Sequence, residues 1–260
     1  MHIDLTGRTA LITGASTGLG RAMAARFSAS GANVVLMART AATLEEAMAS
    51  MQATARGTLF SVPCDITDEA ARDAAMSRAL DRFGTIDILV NNAGSSRRGP
   101  VEEQDRDVMV ADLDLKLLAP LGLIRSVTPG MKGQRWGRII NVTAIVGKTP
   151  DGGSLPTSVS RGAGITMTKA LSKELAPYNI LVNALCVGKI KSGQWERRHA
   201  ALGGDQSYED FLRPTAETVP LKRMGEAEEF ANVACFLGSD AASYVSGTAI
   251  NVDGGLCATT

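Results

Sequence analysis

Histidine and cysteine are scarce in this sequence, and neither is arranged to hold a metal. The 260 residues include two histidines, His2 and His199, and four cysteines, Cys64, Cys186, Cys235 and Cys257, far apart and without a CxxC pair. No metal site is expected, and reduced thiols in a cytoplasmic protein are. An excess of charge is also missing: Lys plus Arg and Asp plus Glu both total 27, for a formal net charge of zero. That balance argues against nucleic acid or an anionic membrane as the main partner, although local basic patches survive it. No apolar run is long and charge-free enough to span a bilayer, and MHIDLTGRTALIT lacks the form of a signal peptide. Repeats and Pro/Gly-rich linkers are absent too, so residues 1–260 are expected to form one domain.

What is present is a full complement of core residues. Apolar types make up 45% of the chain and charged types 21%, the balance of an ordinary globular protein. RTALIT (8–13), NVVLMA (33–38), TLFSVPC (58–64), DILVNNA (87–93), RIINVT (138–143), ILVNALC (180–186) and TAINV (248–252) read as seven strands. Most are apolar at consecutive positions, as strands covered on both faces must be. Helix-like stretches alternate with them at 19–30, 43–53, 68–83, 101–131, 158–176 and 227–237. Such alternation predicts an α/β fold with a doubly wound parallel sheet, whose ligands bind beyond the carboxyl ends of the strands.

The motifs fall at those ends. Thr13-Gly14-Ala15-Ser16-Thr17-Gly18-Leu19-Gly20 links the first strand to the first helix. Its glycines allow a tight turn and close approach, and the helix N-terminus offers free N–H groups to a pyrophosphate. A glycine-rich turn without a ligand is the plainer alternative. Three further features sit where a dinucleotide would lie. Asp65-Ile66 ends the third strand, where a carboxylate can accept a hydrogen bond from an adenine amino group. Asn91-Asn92-Ala93-Gly94 ends the fourth, and Tyr244 to Gly255 closes the set with VDGG. At the end of the second strand, Arg39 stands where NAD-selective proteins place an acid. A guanidinium suits a 2′-phosphate, which favours NADP(H) over NAD(H); an ordinary surface arginine is the competing explanation.

Taken together, TGxxxGxG, NNAG and VDGG resemble the short-chain dehydrogenase/reductase family over essentially the whole chain. The resemblance implies a Rossmann-type fold, a seven-stranded parallel sheet with helices on both faces, and a nicotinamide cofactor. It implies cofactor contacts from Gly14, Ser16, Thr17, Gly18, Leu19, Gly20, Arg39, Asp65, Ile66, Asn91, Ala93, Gly94, Arg161, Gly188, Ile190 and Ser192. Asn91 would stabilise the sheet beside the cofactor, and Gly188 to Ser192 would hold the carboxamide. It also implies a homodimer or homotetramer built on the helices near 101–131 and 158–176, and a substrate-covering segment at 189–215.

The family's acid/base set does not carry over. The tyrosine position falls on Thr157, the lysine position on Arg161, the serine position on Ala144 and the asparagine position on Asp114; the usual proline before Gly188 is Val187. Threonine lacks phenol-like acidity, Ala144 donates nothing, and arginine stays protonated at any working pH. Loss of a positioned acid costs about 10²–10⁴ in rate. Asp114 and Arg161 are expected to compensate as a bidentate ion pair beneath the ribose, neutral drift being the alternative. Ser158, Ser160, Lys116, Lys148, Tyr208 and His199 are candidate substitute donors, each more simply read as structural or solvated. Two basic clusters, Arg97–Arg98 and Lys189, Lys191, Arg197 and Arg198, suit an anionic small-molecule substrate such as a carboxylate or acyl thioester, with solvated loop charge as the alternative.

Three functions are compatible with these residues. The first is an NADP(H)-dependent oxidoreductase acting on a carbonyl, hydroxyl or activated alkene with a non-standard proton donor. The second is a non-redox enzyme that keeps the dinucleotide. The third is a catalytically degenerate, nucleotide-binding pseudoenzyme.

Overall fold

The computed structural model describes residues 3–260, so Met1 and His2 lie outside the described residues. Seven strands, β1 (Thr9–Thr13), β2 (Asn33–Ala38), β3 (Leu59–Pro63), β4 (Ile88–Asn91), β5 (Gly137–Ala144), β6 (Ile180–Val187) and β7 (Ala249–Val252), form one parallel sheet in the order 3-2-1-4-5-6-7. Consecutive apolar residues are needed because the pleat sends alternate side chains to opposite faces. Ala10 and Ile12 of β1, with Val34 and Leu36 of β2, enter one core; Leu11, Val35 and Met37 enter the other. All seven are fully buried. The first core is closed by α1 (Gly18–Ala29), α2 (Ala41–Met51) and α9 (Ala227–Leu237), through Phe27, Leu44 and Phe230. The second is closed by α3 (Glu69–Phe83), α5 (Ala119–Gln134) and α6 (Thr157–Leu175), through Met76, Leu123 and Leu175.

Strand order reverses between β1 and β4, and the crevice that such a switch point opens lies at their carboxyl ends. Thr13 and Asn92 lace that crevice shut from below. The Thr13 hydroxyl accepts from the backbone N–H groups of Asn92 and Ala93, both at 2.9 Å. Asn92 Nδ2 donates to the Thr13 carbonyl at 2.9 Å and the Gly14 carbonyl at 3.3 Å.

The helix expected at 101–131 is interrupted. Asp105 caps α4 (Arg106–Leu113) by accepting from the Val108 N–H, and a π-helical turn, Asp114–Leu118, joins α4 to α5. Pro120 supplies the reason: it has no N–H for the Lys116 carbonyl, and its ring crowds that oxygen. The extra residue per turn is accommodated immediately before it. The segment expected to cover the substrate also has more order than its sequence suggested, folding as α7 (Gly193–Leu202) and α8 (Tyr208–Thr218). Among the described residues no helix is long and apolar enough to cross a membrane.

Candidate active site

A cleft of about 1610 Å³ runs over the carboxyl ends of the strands, from Arg39 and Asp65 at one end to Thr157, Lys189 and Trp195 at the other. Its floor is the glycine turn. Gly14 has φ +64°, a conformation side chains rarely adopt, and a Cβ at Gly20 would stand 2.0 Å from the Gly14 carbonyl. Thr17 precedes α1 without capping it, and no acid occupies the first turn. The first N–H groups of that helix therefore face the cleft with their partial positive charge. Ser192, at the start of α7, is likewise uncapped and packs against Gly18, so two helix N-termini meet there. Replacing Gly20 by alanine should cost about 3 kcal/mol or more of stability, since backbone rather than a flexible side chain must give way. Urea unfolding would check this, and a variant as stable as the parent would contradict the packing described.

At the adenine-side end, the Asp65 carboxylate accepts from the Thr67 N–H at 3.0 Å and the Thr67 hydroxyl at 2.7 Å. Those hydrogen bonds, with a smaller contribution from the charge of Arg39, hold it below the usual carboxylate range. Arg39 is exposed and has no ion-pair partner among the described residues. The two residues present a fixed cation and an acceptor to whatever enters.

Most expected cofactor residues line this one cleft: Gly14, Ser16, Thr17, Gly18, Leu19, Gly20, Arg39, Asp65, Ile66, Ala93, Gly94, Arg161, Gly188 and Ser192. Two do not. Asn91 lies behind the wall, where its Nδ2 donates to Asn141 Oδ1 at 2.9 Å across β4 and β5. Ile190 is buried and borders a separate, smaller cavity with Gly225. Asn92, which positions the glycine turn, was not singled out because its role depends on the Thr13 contact rather than on the motif.

At the other end, the ion pair expected between Asp114 and Arg161 does not form. Asp112 and Lys116 face α6 instead, reaching Ser160 and Thr157. Lys116 Nζ contacts Asp112 Oδ1 at 2.5 Å, and the two side chains are 0% and 5% exposed. The other carboxylate oxygen of Asp112 accepts from the Ser160 hydroxyl at 2.6 Å. Lys116 Nζ also donates to the Thr157 hydroxyl at 2.9 Å. Arg161 Nη1 donates to the Val142 carbonyl at 2.7 Å, while its Nε is buried without a partner. Burial pushes the Arg161 guanidinium down to about 10, against the opposing pull of Asp112. Burial and then the nearby Arg161 charge push the Lys116 ammonium down to about 8, although Asp112 resists both. Sequence reasoning missed Asp112, although its i,i+4 spacing to Lys116 was a readable signal.

Thr157 is fully engaged. Its hydroxyl accepts from the Arg97 N–H at 3.0 Å and donates to the Arg97 carbonyl at 2.8 Å. The next residues, Arg98–Gly99, pair antiparallel with Leu155–Pro156 in a separate two-stranded sheet. Of the other candidate donors, Ser160 belongs to the Asp112 network and Lys148 donates to the Ala249 carbonyl at 2.6 Å. His199 Nε2 meets the Gln206 carbonyl, and its ring packs against Tyr208 and Phe211. None of Ser158, Ser160, Lys148, His199 and Tyr208 lines the cleft, whereas Ala144 does.

The two basic clusters converge on the cleft without Arg97 and without Lys191, which pairs with Glu209 and Glu226. Arg98, Lys189, Arg197 and Arg198 all line it, and Arg98 pairs with Asp151 at 3.3 Å. Arg198 stacks on Trp195, 5.0 Å from its ring centre, with Lys189 at 5.9 Å. Lys189 is half-buried, and no carboxylate among the described residues lies within ion-pair reach of it. Its ammonium is pushed below the ordinary lysine range by burial, then by Arg98 and Arg198.

The donor set fits a dinucleotide: uncapped helix N-termini for a pyrophosphate, a cation and an acceptor at the adenine-side end, and a buried orphan Nε on Arg161. Comparison with known proteins agrees. A family model described as enoyl-(acyl carrier protein) reductase matches residues 14–257. The oxidoreductase UcpA of Salmonella typhimurium is 35% identical over 255 residues, which cover 96% of this chain and 95% of that protein. The crystal structure of L-sorbose reductase from Gluconobacter frateurii, complexed with NADPH and L-sorbose, superposes with a TM-score of 0.95 at 32% identity, covering 100% of both chains. An NAD⁺-bound xylitol dehydrogenase superposes with a TM-score of 0.86 at 29% identity, covering 96% of this chain and 99% of that one.

Proposed function

This chain belongs to the short-chain dehydrogenase/reductase family, and from that premise we propose that it is an NADP(H)-dependent oxidoreductase of a carbonyl, hydroxyl or activated-alkene compound whose proton comes from Lys116 through Thr157. The observation that carries the proposal is the 2.9 Å contact between Lys116 Nζ and the Thr157 hydroxyl, at the end of a cleft that begins at Arg39. When bound, the dinucleotide supplies or accepts hydride at its nicotinamide ring. The chain's own residues do the rest.

Thr157, Arg161 and Ala144 occupy the positions where the family's tyrosine, lysine and serine belong. A threonine hydroxyl is too weak an acid to act unaided. Beside an ammonium it can pass a proton on once its hydrogen turns from the Arg97 carbonyl toward the substrate oxygen: that hydrogen goes to the substrate as one leaves Lys116 Nζ for Thr157 Oγ1. Lys116 becomes a neutral amine, which its lowered pKa of about 8 makes accessible near neutral pH. Asp112 then keeps its hydrogen bond from Ser160 and holds the amine in place. Arg161 stays charged and is a hydrogen-bond donor for the ribose. This fixed arrangement supports an active enzyme over a degenerate one, because drift gives no reason for a buried Asp–Lys–Thr chain to remain satisfied.

Arg39 supports NADP(H) through a charge-assisted contact to the 2′-phosphate. Arg39→Ala should weaken NADPH binding by about tenfold to a hundredfold and leave NADH binding within about twofold. Titration calorimetry with both nucleotides reads this directly, and equal losses for the two would refute the assignment. Consumption of NADPH against a panel of carbonyl and enoyl compounds tests the activity itself. Val110, Leu118 and Val159 are exposed beside the α4–α5 junction and on α6, which supports assembly as a homodimer or homotetramer through those helices.

A further inference from the structure

We infer that Lys189, with Arg98 and Arg198, forms a subsite for an anionic group on the substrate itself, a carboxylate or a phosphate, held beside the reacting carbon. The inference deepens the oxidoreductase reading and rests on it for the direction in which the substrate lies. Three observations carry it.

First, the cluster is assembled from segments far apart in sequence. Arg98 comes from the loop after β4, and Lys189 and Arg198 come from the segment after β6 and from α7. Solvated loop charge has no reason to gather: like charges separate when nothing holds them. These face one cleft, and Lys189 feels both arginines. Second, positive charge is in excess there, although Asp151 attracts Lys189 as well as pairing with Arg98. Asp65, at the far end, and Asp151, already paired with Arg98, are the acids that line the cleft. A half-buried ammonium between two guanidinium groups costs free energy unless an anion repays it. Arg197 approaches Gly193, where the two helix N-termini meet, and is better placed for the dinucleotide's phosphates.

Third, the position is fixed relative to the chemistry. Arg98 follows Arg97, whose backbone is clamped at both N–H and carbonyl by the Thr157 hydroxyl. Lys189 follows Gly188 at the end of β6, and Trp195 supports Arg198 and Lys189 from one side. An anion on these residues would lie in the part of the cleft that Thr157 also lines, next to the strand pair Arg98–Pro156, and the substrate class follows: small oxo or hydroxy compounds carrying their own charge near the reactive carbon.

The test uses the full-length protein saturated with NADPH. Each of several oxo acids is compared with its methyl ester, and a phosphorylated ketone with its unphosphorylated parent. A coenzyme A thioester is compared with its N-acetylcysteamine thioester, which separates a substrate carboxylate from a phosphate and from a carrier's phosphates. At least one anionic member should exceed its neutral partner in kcat/KM by about 30-fold or more, and Lys189→Met should collapse that ratio toward one. In parallel, calorimetry of inorganic phosphate and of succinate should show saturable binding that Lys189→Met weakens about tenfold, with dimethyl succinate as the neutral control. Equal use of acids and esters, or anion binding indifferent to Lys189, overturns the inference. Anion binding that depends on Lys189, without turnover of any compound, would sustain the subsite and sink the oxidoreductase reading instead.

Discussion

Lys116→Met should lower the rate of substrate reduction by about 10²–10⁴-fold while leaving NADPH affinity within about twofold. Methionine fills much the same space as lysine but has no proton to give, so the loss falls on the chemical step. Thr157→Val, which removes the relay and keeps the shape, should lose a comparable factor, guarding against a trivial failure of Lys116→Met to fold. The pH profile separates a proton source from a strut. Lys116 is a depressed cation titrating near 8, so the wild-type reduction rate should fall as pH rises through that value. In Lys116→Met the descending limb should vanish, and in Lys116→Arg it should move to higher pH. Retention of both rate and limb in Lys116→Met would remove Lys116 from the mechanism.

Asp112→Ala should be the most destabilising single change in the site, by about 3–5 kcal/mol, because it strands a buried ammonium and deprives Ser160 of its acceptor. The double variant Asp112→Ala/Lys116→Met should recover much of that loss, as a buried ion pair replaced by apolar groups often does. Urea denaturation of the wild type and the variants completes the cycle. A loss below about 1 kcal/mol in Asp112→Ala would mean that the pair is solvated in solution. The sign of the accompanying pH effect is fixed. The Lys116 pKa is about 8 when folded against an ordinary 10.5, so the unfolded chain binds more protons between those values. Wild-type stability should therefore rise, relative to Lys116→Met, as pH climbs from about 8 to 10.5.

The sheet was legible because its cause is local and repeated. In β1 and β2 a two-sided core forces apolar residues at consecutive interior positions, and that pattern survives in the sequence. The glycine-turn end of the cleft was legible for a similar reason, since turn, helix start and strand end lie within a few residues of each other. The catalytic end was not. Asp114 was expected to pair with Arg161 because it falls on the family's asparagine position, whereas the side chains that reach α6 are Asp112 and Lys116. The i,i+4 spacing of Asp112 and Lys116 marks them as a pair, but that they face Thr157 and Ser160 depends on how their helix packs on α6, which spacing does not carry. The convergence of Arg98 with Lys189 was hidden because it depends on two loops meeting in space.

The clasp between Thr157 and Arg97 couples what most enzymes can vary separately. One side chain holds both Lys116 Nζ and the backbone beside Arg98, so on the proposed proton route charge preference at that loop cannot be retuned without disturbing turnover. For the same reason, any side chain at 157 without a hydroxyl at that reach would release the loop.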